Sequence, residues 1–400
     1  MTERRRPAAL RGLPLLEDLP DLLHRRVLVR VDFNVPLEHL ADGTRVVADA
    51  FRINTALPTL RWLVNAGAEV TACSHLGRPK GGFDPEWDMA PVRARLAELA
   101  PGVELLENLR FDPREKAGDE SFADELVAGF DAYVNEAFGV CHRRDASVVG
   151  PPERLPSAAG RRLAKEVEVI GGLLDEPRRP FVAVVGGAKV ADKMGVLQAL
   201  AARVDVLAVG GGMAFTILAA MGHDVGSSLV DLGRIEDCRH LLHESRAELL
   251  LPVDVVALEP GGRLAEGPDE SGPLGETKVL GRDLPHDWRG LDIGPETAAA
   301  FAEAIASAGT VLWNGPVGVF EDERFGAGTK RVAEAVATSP AYTVVGGGDS
   351  VSALDHLGLA GQVDFVSTGG GASLELVEHG DLPGLAALRS ARNAPGHDAD

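Results

Sequence analysis

The chain has 400 residues, enough for two or more domains, and 45% of them are hydrophobic, as in a soluble globular protein. A formal net charge of −20 leaves no basic stripe to displace counterions, which argues against binding nucleic acid or an acidic membrane; any anionic ligand needs a local concentration of cations. No run is long and apolar enough to span a bilayer, and the three cysteines, Cys73, Cys141 and Cys238, are too scattered for a disulfide framework, so a cytoplasmic protein with small buried thiols is expected.

Arg4-Arg5-Arg6 is followed by no apolar segment and soon by Glu17, Asp18 and Asp21, so the start reads as a solvated tail rather than a targeting peptide. Arg26 to Val31 reads as a strand ending in Asp32-Phe33-Asn34. A helix containing Phe51 to Val64 follows, closed by Asn65-Ala66-Gly67, with Pro58 near its start or at a kink. Ala68 to Cys73 is the next strand and releases Ser74-His75-Leu76-Gly77-Arg78-Pro79. Val103 to Glu107 delivers Asn108-Leu109-Arg110, and Asp131 to Val134 delivers Asn135-Glu136, then His142 and Arg143. Taken singly, each arginine reads as a solvated surface group. Alternation of strand and helix implies a parallel sheet, however, and would gather Arg52, His75, Arg78, Arg110 and Arg143 on one edge as a pocket for a small polyanion. Pro156 to Asp175 reads as an amphipathic helical bridge between domains, ended by Pro177 and Pro180.

The second half changes character. Phe181 to Val185 is an apolar strand running into Gly186-Gly187, followed by Lys189 and by a helical pattern that begins with Lys193. Glycines let backbone N–H groups approach a phosphate, and a helix N-terminus favours negative charge. Val204–Ala214, Thr310–Glu321, Tyr342–Ser350 and Val363–Ser373 repeat the pattern of apolar strand, glycines and helix start. Lined along the carboxyl edge of a parallel sheet, they make a nucleotide cradle, although neither G-x-x-x-x-G-K-[ST] nor G-x-G-x-x-G is present. Glu259 to Gly290 reads as an exposed insertion. Cys238, His240 and His243 lack a fourth ligand and read as a surface helix. The residues after Arg389 read as a frayed end.

These motifs resemble the phosphoglycerate kinase family from about Arg26 to Leu388: RVDFNVPL (Arg30 to Leu37), SHLGRPKG (Ser74 to Gly81), ENLRF (Glu107 to Phe111), GGAKVADK (Gly186 to Lys193), DIGPET (Asp292 to Thr297), WNGPVGVFE (Trp313 to Glu321), GGGDS (Gly346 to Ser350) and STGGGAS (Ser367 to Ser373). The resemblance implies two doubly wound parallel-sheet α/β domains facing each other across a cleft and joined by a helical hinge at about 156–175. Residues 1–178 would bind 3-phosphoglycerate, 179–375 would bind MgATP or MgADP, and 376–400 would return to the first domain. Carried over by position, the 3-phosphoglycerate contacts are Asp32, Asn34, Arg52, His75, Arg78, Arg110 and Arg143. The nucleotide contacts are Lys189, Lys193, Gly211, Gly318, Glu321, Gly347, Gly348, Asp349 and Ser350, with Asp349 as the Mg²⁺ partner. Arg52, Lys189, Gly348 and Gly371 carry the catalytic roles, in a monomer. The chain departs from the family at Glu136, Val140, Cys141, Arg144, Asp145 and Phe215, which leaves a catalytically weak or inactive relative acting as a nucleotide-binding or regulatory protein as the alternative. A nicotinamide-dependent dehydrogenase is disfavoured by the missing fingerprint.

Overall fold

The computed structural model describes residues 6–265 and 273–391. The first residues of the arginine-rich tail, part of the 259–290 insertion and the last nine residues lie outside that range. The described chain forms two compact units, one from Met1–Asp175 together with Gly371–Asp400 and the other from Glu176–Gly370.

The first unit is built on a five-stranded parallel sheet in the order Val103–Leu105, Glu69–Cys73, Arg26–Arg30, Ala132–Asn135 and Ser157–Ala159. The chain winds outward from the Arg26 strand in one direction and then returns to its other side. The topological switch point therefore lies between the Arg26 and Ala132 strands, whose ends Arg30 and Asn135 are in register. Val27, Val29, Val70, Ala72 and Val134 pack with Ile53, Leu57 and Leu60 of the helix Phe51–Asn65 in one core. Pro58 lies inside that helix rather than at its start. It is tolerated because Pro58 and Asn54, whose carbonyl it leaves without a helical donor, are both on the exposed face.

The expected bridge is shorter than its sequence pattern. Ser157–Ala159 joins the sheet as an edge strand, and the helix proper is Arg161–Asp175, burying Leu163, Val167, Ile170 and Leu173. The helix Gly371–His379 packs against it, so the boundary near the carboxyl end falls before Gly371 rather than after residue 375. The following helix, Pro383–Ala391, buries Leu385 and Leu388 completely.

The second unit has a six-stranded parallel sheet in the order Glu248–Leu250, Val206–Val209, Phe181–Val185, Thr310–Asn314, Tyr342–Gly346 and Phe365–Val366. Its switch point lies between the Phe181 and Thr310 strands, with Val185 opposite Asn314. All five residues of Phe181–Val185 and of Thr310–Asn314 are buried, which is why the first reads as an unbroken apolar run and the second as apolar Val311–Trp313 between polar ends. A separate antiparallel sheet of Thr277–Gly281, Asp254–Leu258 and Arg289–Ile293 stands beside it. The stretch read as an exposed insertion thus contributes an edge strand, Thr277–Gly281, which is hard to recognise because most of its residues face solvent.

Candidate active site

In the first unit the strand ends deliver the cationic cluster to one edge. Asp32 and Asn34 leave the Arg26 strand. Asp32 forms an ion pair with Arg52 in the first turn of the helix Phe51–Asn65, and Asn34 Oδ1 accepts the Gly77 N–H at 2.8 Å. Arg110 donates to the Gly77 carbonyl at 2.6 Å, which ties the loop after Cys73 from a third strand end. Its Nε is sealed from solvent and has no hydrogen-bond partner among the described residues. His75 is buried, and burial together with the guanidinium groups of Arg30, Arg110, Arg143 and Arg52 holds its pKa well below the usual histidine range. The structure therefore brings Arg52, His75, Arg110 and Arg143 into one electrostatic neighbourhood. Arg78 is exposed, next to the Gly77 that both Asn34 and Arg110 hold.

Sequence reasoning missed Arg30. It closes a strand whose apolar residues Val27-Leu28-Val29 lie between two arginines and looks like a solvent-facing terminus, yet it is fully buried. Its Nε donates to Ser147 Oγ at 2.8 Å, and Ser147 in turn donates to Glu115 through its hydroxyl at 2.6 Å and its N–H at 2.9 Å.

All but one of the residues that depart from the family pattern are buried. Glu136 is buried where the helix Arg161–Asp175 begins. Its carboxyl group accepts the Thr59 hydroxyl at 2.7 Å and the Arg162 N–H at 3.1 Å, while burial pushes its pKa up to about 8. Val140 and Cys141 are core residues. Asp145 is a buried residue preceding the short helix Ala146–Val149, and Arg144 is exposed. Phe215 is buried under Gly290, where a side chain would collide with its ring.

In the second unit a cavity of about 460 Å³ is lined by Gly187, Gly211, Leu229, Gly318, Glu321 and Asp349, among others. Gly211 has φ +69 and begins the helix Gly212–Ala220, and a Cβ there would lie 2.7 Å from the Gly187 carbonyl oxygen. Gly347, with φ +92, begins the helix Gly348–His356, whose first turn presents Asp349 to solvent. Ser350 points inward instead, its Oγ accepting the Gly315 N–H at 2.6 Å. Gly348 faces open space: a Cβ there would meet no atom within 4 Å.

Lys189 is exposed on the loop after the Phe181 strand. Lys193 precedes the helix Met194–Ala201, and its ammonium donates to the Gly186 carbonyl at 2.7 Å and Asn314 Oδ1 at 2.9 Å. Burial lowers its pKa to about 8, with Asp349 and Asp192 opposing the shift.

One glycine stretch differs from its expected form. No helix starts directly after the Thr310 strand; a loop leads through the turn Glu323–Phe325 to the helix Ala327–Thr338. That loop is braced by Asp292, a second supporting residue that sequence reasoning passed over, quoted only as part of a motif. Asp292 accepts the Gly328 N–H at 2.7 Å and the Ile293 N–H at 2.9 Å, burial raises its pKa to about 7, and a side chain on Gly318 would strike it. Gly371 lies in the first unit, as the first residue of the helix Gly371–His379.

Among the described residues no group of three or more His, Cys, Asp or Glu forms a metal cage. The isolated carboxylates of Asp349 and Glu321 at the cavity suit a hard cation that keeps its waters and is held largely by phosphate oxygens.

The comparisons agree with this geometry. The family model described as phosphoglycerate kinase matches residues 16–104 and 100–380. Phosphoglycerate kinase from Salinispora tropica is 50% identical over 406 residues, covering 94% of this chain and 99% of the relative. That from Rubrobacter xylanophilus is 47% identical, covering 92% and 96%. The structure of phosphoglycerate kinase from Coxiella burnetii aligns with a TM-score of 0.80 at 36% identity, covering 93% of this chain and 97% of that one. The enzyme from Pyrococcus horikoshii aligns at 0.79 and 29%, covering 95% and 100%. With parallel doubly wound sheets, a cationic edge and a glycine cradle, the chain belongs to the phosphoglycerate kinase family.

Proposed function

We infer that the protein is a phosphoglycerate kinase that moves a phosphoryl group reversibly between the acyl phosphate of 1,3-bisphosphoglycerate and ADP, giving 3-phosphoglycerate and ATP. The observation that carries the substrate assignment is the convergence of Arg52, His75, Arg110 and Arg143 at a sheet edge in a chain of net charge −20. Such a cluster suits a small ligand bearing phosphate and carboxylate, and a cytoplasmic monomer acting on small molecules is part of the same reading.

In the reverse direction the acceptor is a carboxylate, already ionised at neutral pH, so no general base is needed. The requirement is alignment and positive charge on the migrating group. Asp32, Asn34, Arg78, Arg110 and Arg143 would orient 3-phosphoglycerate, with Asp32 setting the direction of Arg52 through their ion pair. Gly211, Gly318, Gly347 and Gly348 would give nucleotide phosphates access to the backbone, with Ser350 fixing the Gly315 turn and Glu321 bounding the cavity. Arg52 and Lys189 are the cations assigned to the transferring group, with the backbone at Gly348 and Gly371 assisting. Asp349 would hold Mg²⁺, which when bound neutralises phosphate charge. Lys193 would contribute positive charge behind the glycine turns.

The alternative of an inactive relative loses its motive, because Glu136, Val140, Cys141 and Phe215 are engaged in packing and capping. A coupled assay with 3-phosphoglycerate, MgATP and an enzyme that consumes the acyl phosphate tests the reading. Turnover is expected, and nucleotide binding without turnover would overturn it.

A further inference from the structure

His75 is 3% exposed, and its Nδ1 lies 3.3 Å from Nη2 of Arg30. A guanidinium has only donors and keeps its proton in proteins. The imidazole must therefore accept at Nδ1, which leaves a single ring proton on Nε2.

Arg30 is held in place for this. Besides its bond to Ser147, it donates through Nη1 to the Val31 carbonyl, and Tyr133 fixes the Ser147 carbonyl at 2.8 Å. Arg30, Glu115, Tyr133 and Ser147 are all completely buried. Among the described residues Nε2 of His75 has no hydrogen-bond partner and is not one of the sealed, unpartnered side-chain atoms, so its N–H is left for a ligand. The guanidinium groups of Arg30, Arg110, Arg143 and Arg52 all disfavour a further positive charge on the ring; the acids of the cluster are Asp32, paired with Arg52, and Glu115, paired with Arg30.

We propose that Arg30 is a positioning residue that locks His75 as the neutral Nε2–H tautomer, so that His75 offers bound phosphoglycerate one directional hydrogen bond among the arginines. The inference rests on the reading of this cluster as the phosphoglycerate pocket. It adds a division of labour: the arginines supply charge, and a neutral imidazole supplies orientation.

Histidine-selective ¹⁵N labelling with long-range ¹H–¹⁵N correlation spectra tests the lock directly. The His75 signal among the 11 histidines is assigned by its loss in His75→Gln. Without ligand, His75 should show an acceptor-type Nδ1 and a protonated Nε2, unchanged from pH 8 to pH 5.5, and 3-phosphoglycerate should move Nε2 more than Nδ1. Arg30→Lys should mix the tautomers, restore a titration of His75 and weaken 3-phosphoglycerate binding about tenfold, the scale of one hydrogen bond to a charged group. Ser147→Ala, which frees the guanidinium without removing it, should move the spectrum the same way to a smaller extent. A protonated ring or an Nδ1–H tautomer in the wild type would overturn the lock. If ligand binds and Nε2 stays still, the donor role is wrong, and Arg110→Ala then decides the pocket. Weakened binding in that variant keeps the pocket and rejects only the role of His75, whereas unchanged binding rejects both.

Discussion

Lys193→Met separates two roles for a half-buried ammonium. Lys193 bridges the ends of two neighbouring strands, with Gly186 O at 2.7 Å and Asn314 Oδ1 at 2.9 Å. Methionine keeps the stem and removes the charge. Leaving those two oxygens unpaired costs about 1–3 kcal/mol each. Against this, lowering the lysine pKa from 10.5 to about 8 means that burial opposes the charged form by about 3 kcal/mol, which methionine relieves. The two effects largely offset, so urea unfolding of the ligand-free protein should show a net loss of about 1 kcal/mol and no more than about 3. ADP affinity measured by calorimetry should fall about tenfold or more, because a positive charge behind the phosphate turns is gone. The folded state of the wild type releases the Lys193 proton before the unfolded chain does. Wild-type stability relative to the variant should therefore rise between pH 8 and 10.5. A loss above about 4 kcal/mol with unchanged ADP affinity would refute the reasoning and make Lys193 a structural staple alone.

Gly348→Ala should leave unfolding unchanged or slightly improved, since no atom lies within 4 Å of the new Cβ, yet weaken ADP binding at least about tenfold by obstructing the phosphate. Unchanged affinity in calorimetry would move the phosphates away from this turn. Arg110→Ala should weaken 3-phosphoglycerate binding by about 1.5–3 kcal/mol while ADP affinity barely changes, and an equal loss for both ligands would dissolve the assignment of separate pockets. Glu136 keeps its proton in the folded state up to about pH 8, whereas the unfolded carboxyl loses it near 4.5. Its contribution should therefore decline as pH rises through that window, by up to about 1.4 kcal/mol per pH unit. Glu136→Gln should flatten this part of the stability profile, and an unaltered slope would mean that the buried group is ionised at neutral pH.

By itself the sequence determined the architecture of each unit and the chemistry along its edges. Phe181–Val185, and Val311–Trp313 within the Thr310 strand, are legible because a strand covered on both faces needs an apolar middle. Gly211 and Gly347 are legible because a left-handed turn at a strand end favours glycine. His75, Arg110 and Arg143 are legible as a cluster because parallel strands end on the same side.

What only the tertiary structure decided are matters of partner and burial. Arg30 and Ser147 stand 117 residues apart, and nothing local says that the guanidinium turns inward to meet that hydroxyl. Glu136 looks like an altered site residue until Thr59 and the start of the helix Arg161–Asp175 are folded against it. Ser157–Ala159 reads as part of a helix until the Ala132 strand offers a free edge, and Gly371 reads as part of the second domain until its helix packs on Arg161–Asp175. Local pattern encodes the period and terminus of an element; whether a polar group faces water or another buried group depends on residues far away in sequence, which only the fold brings within hydrogen-bond distance.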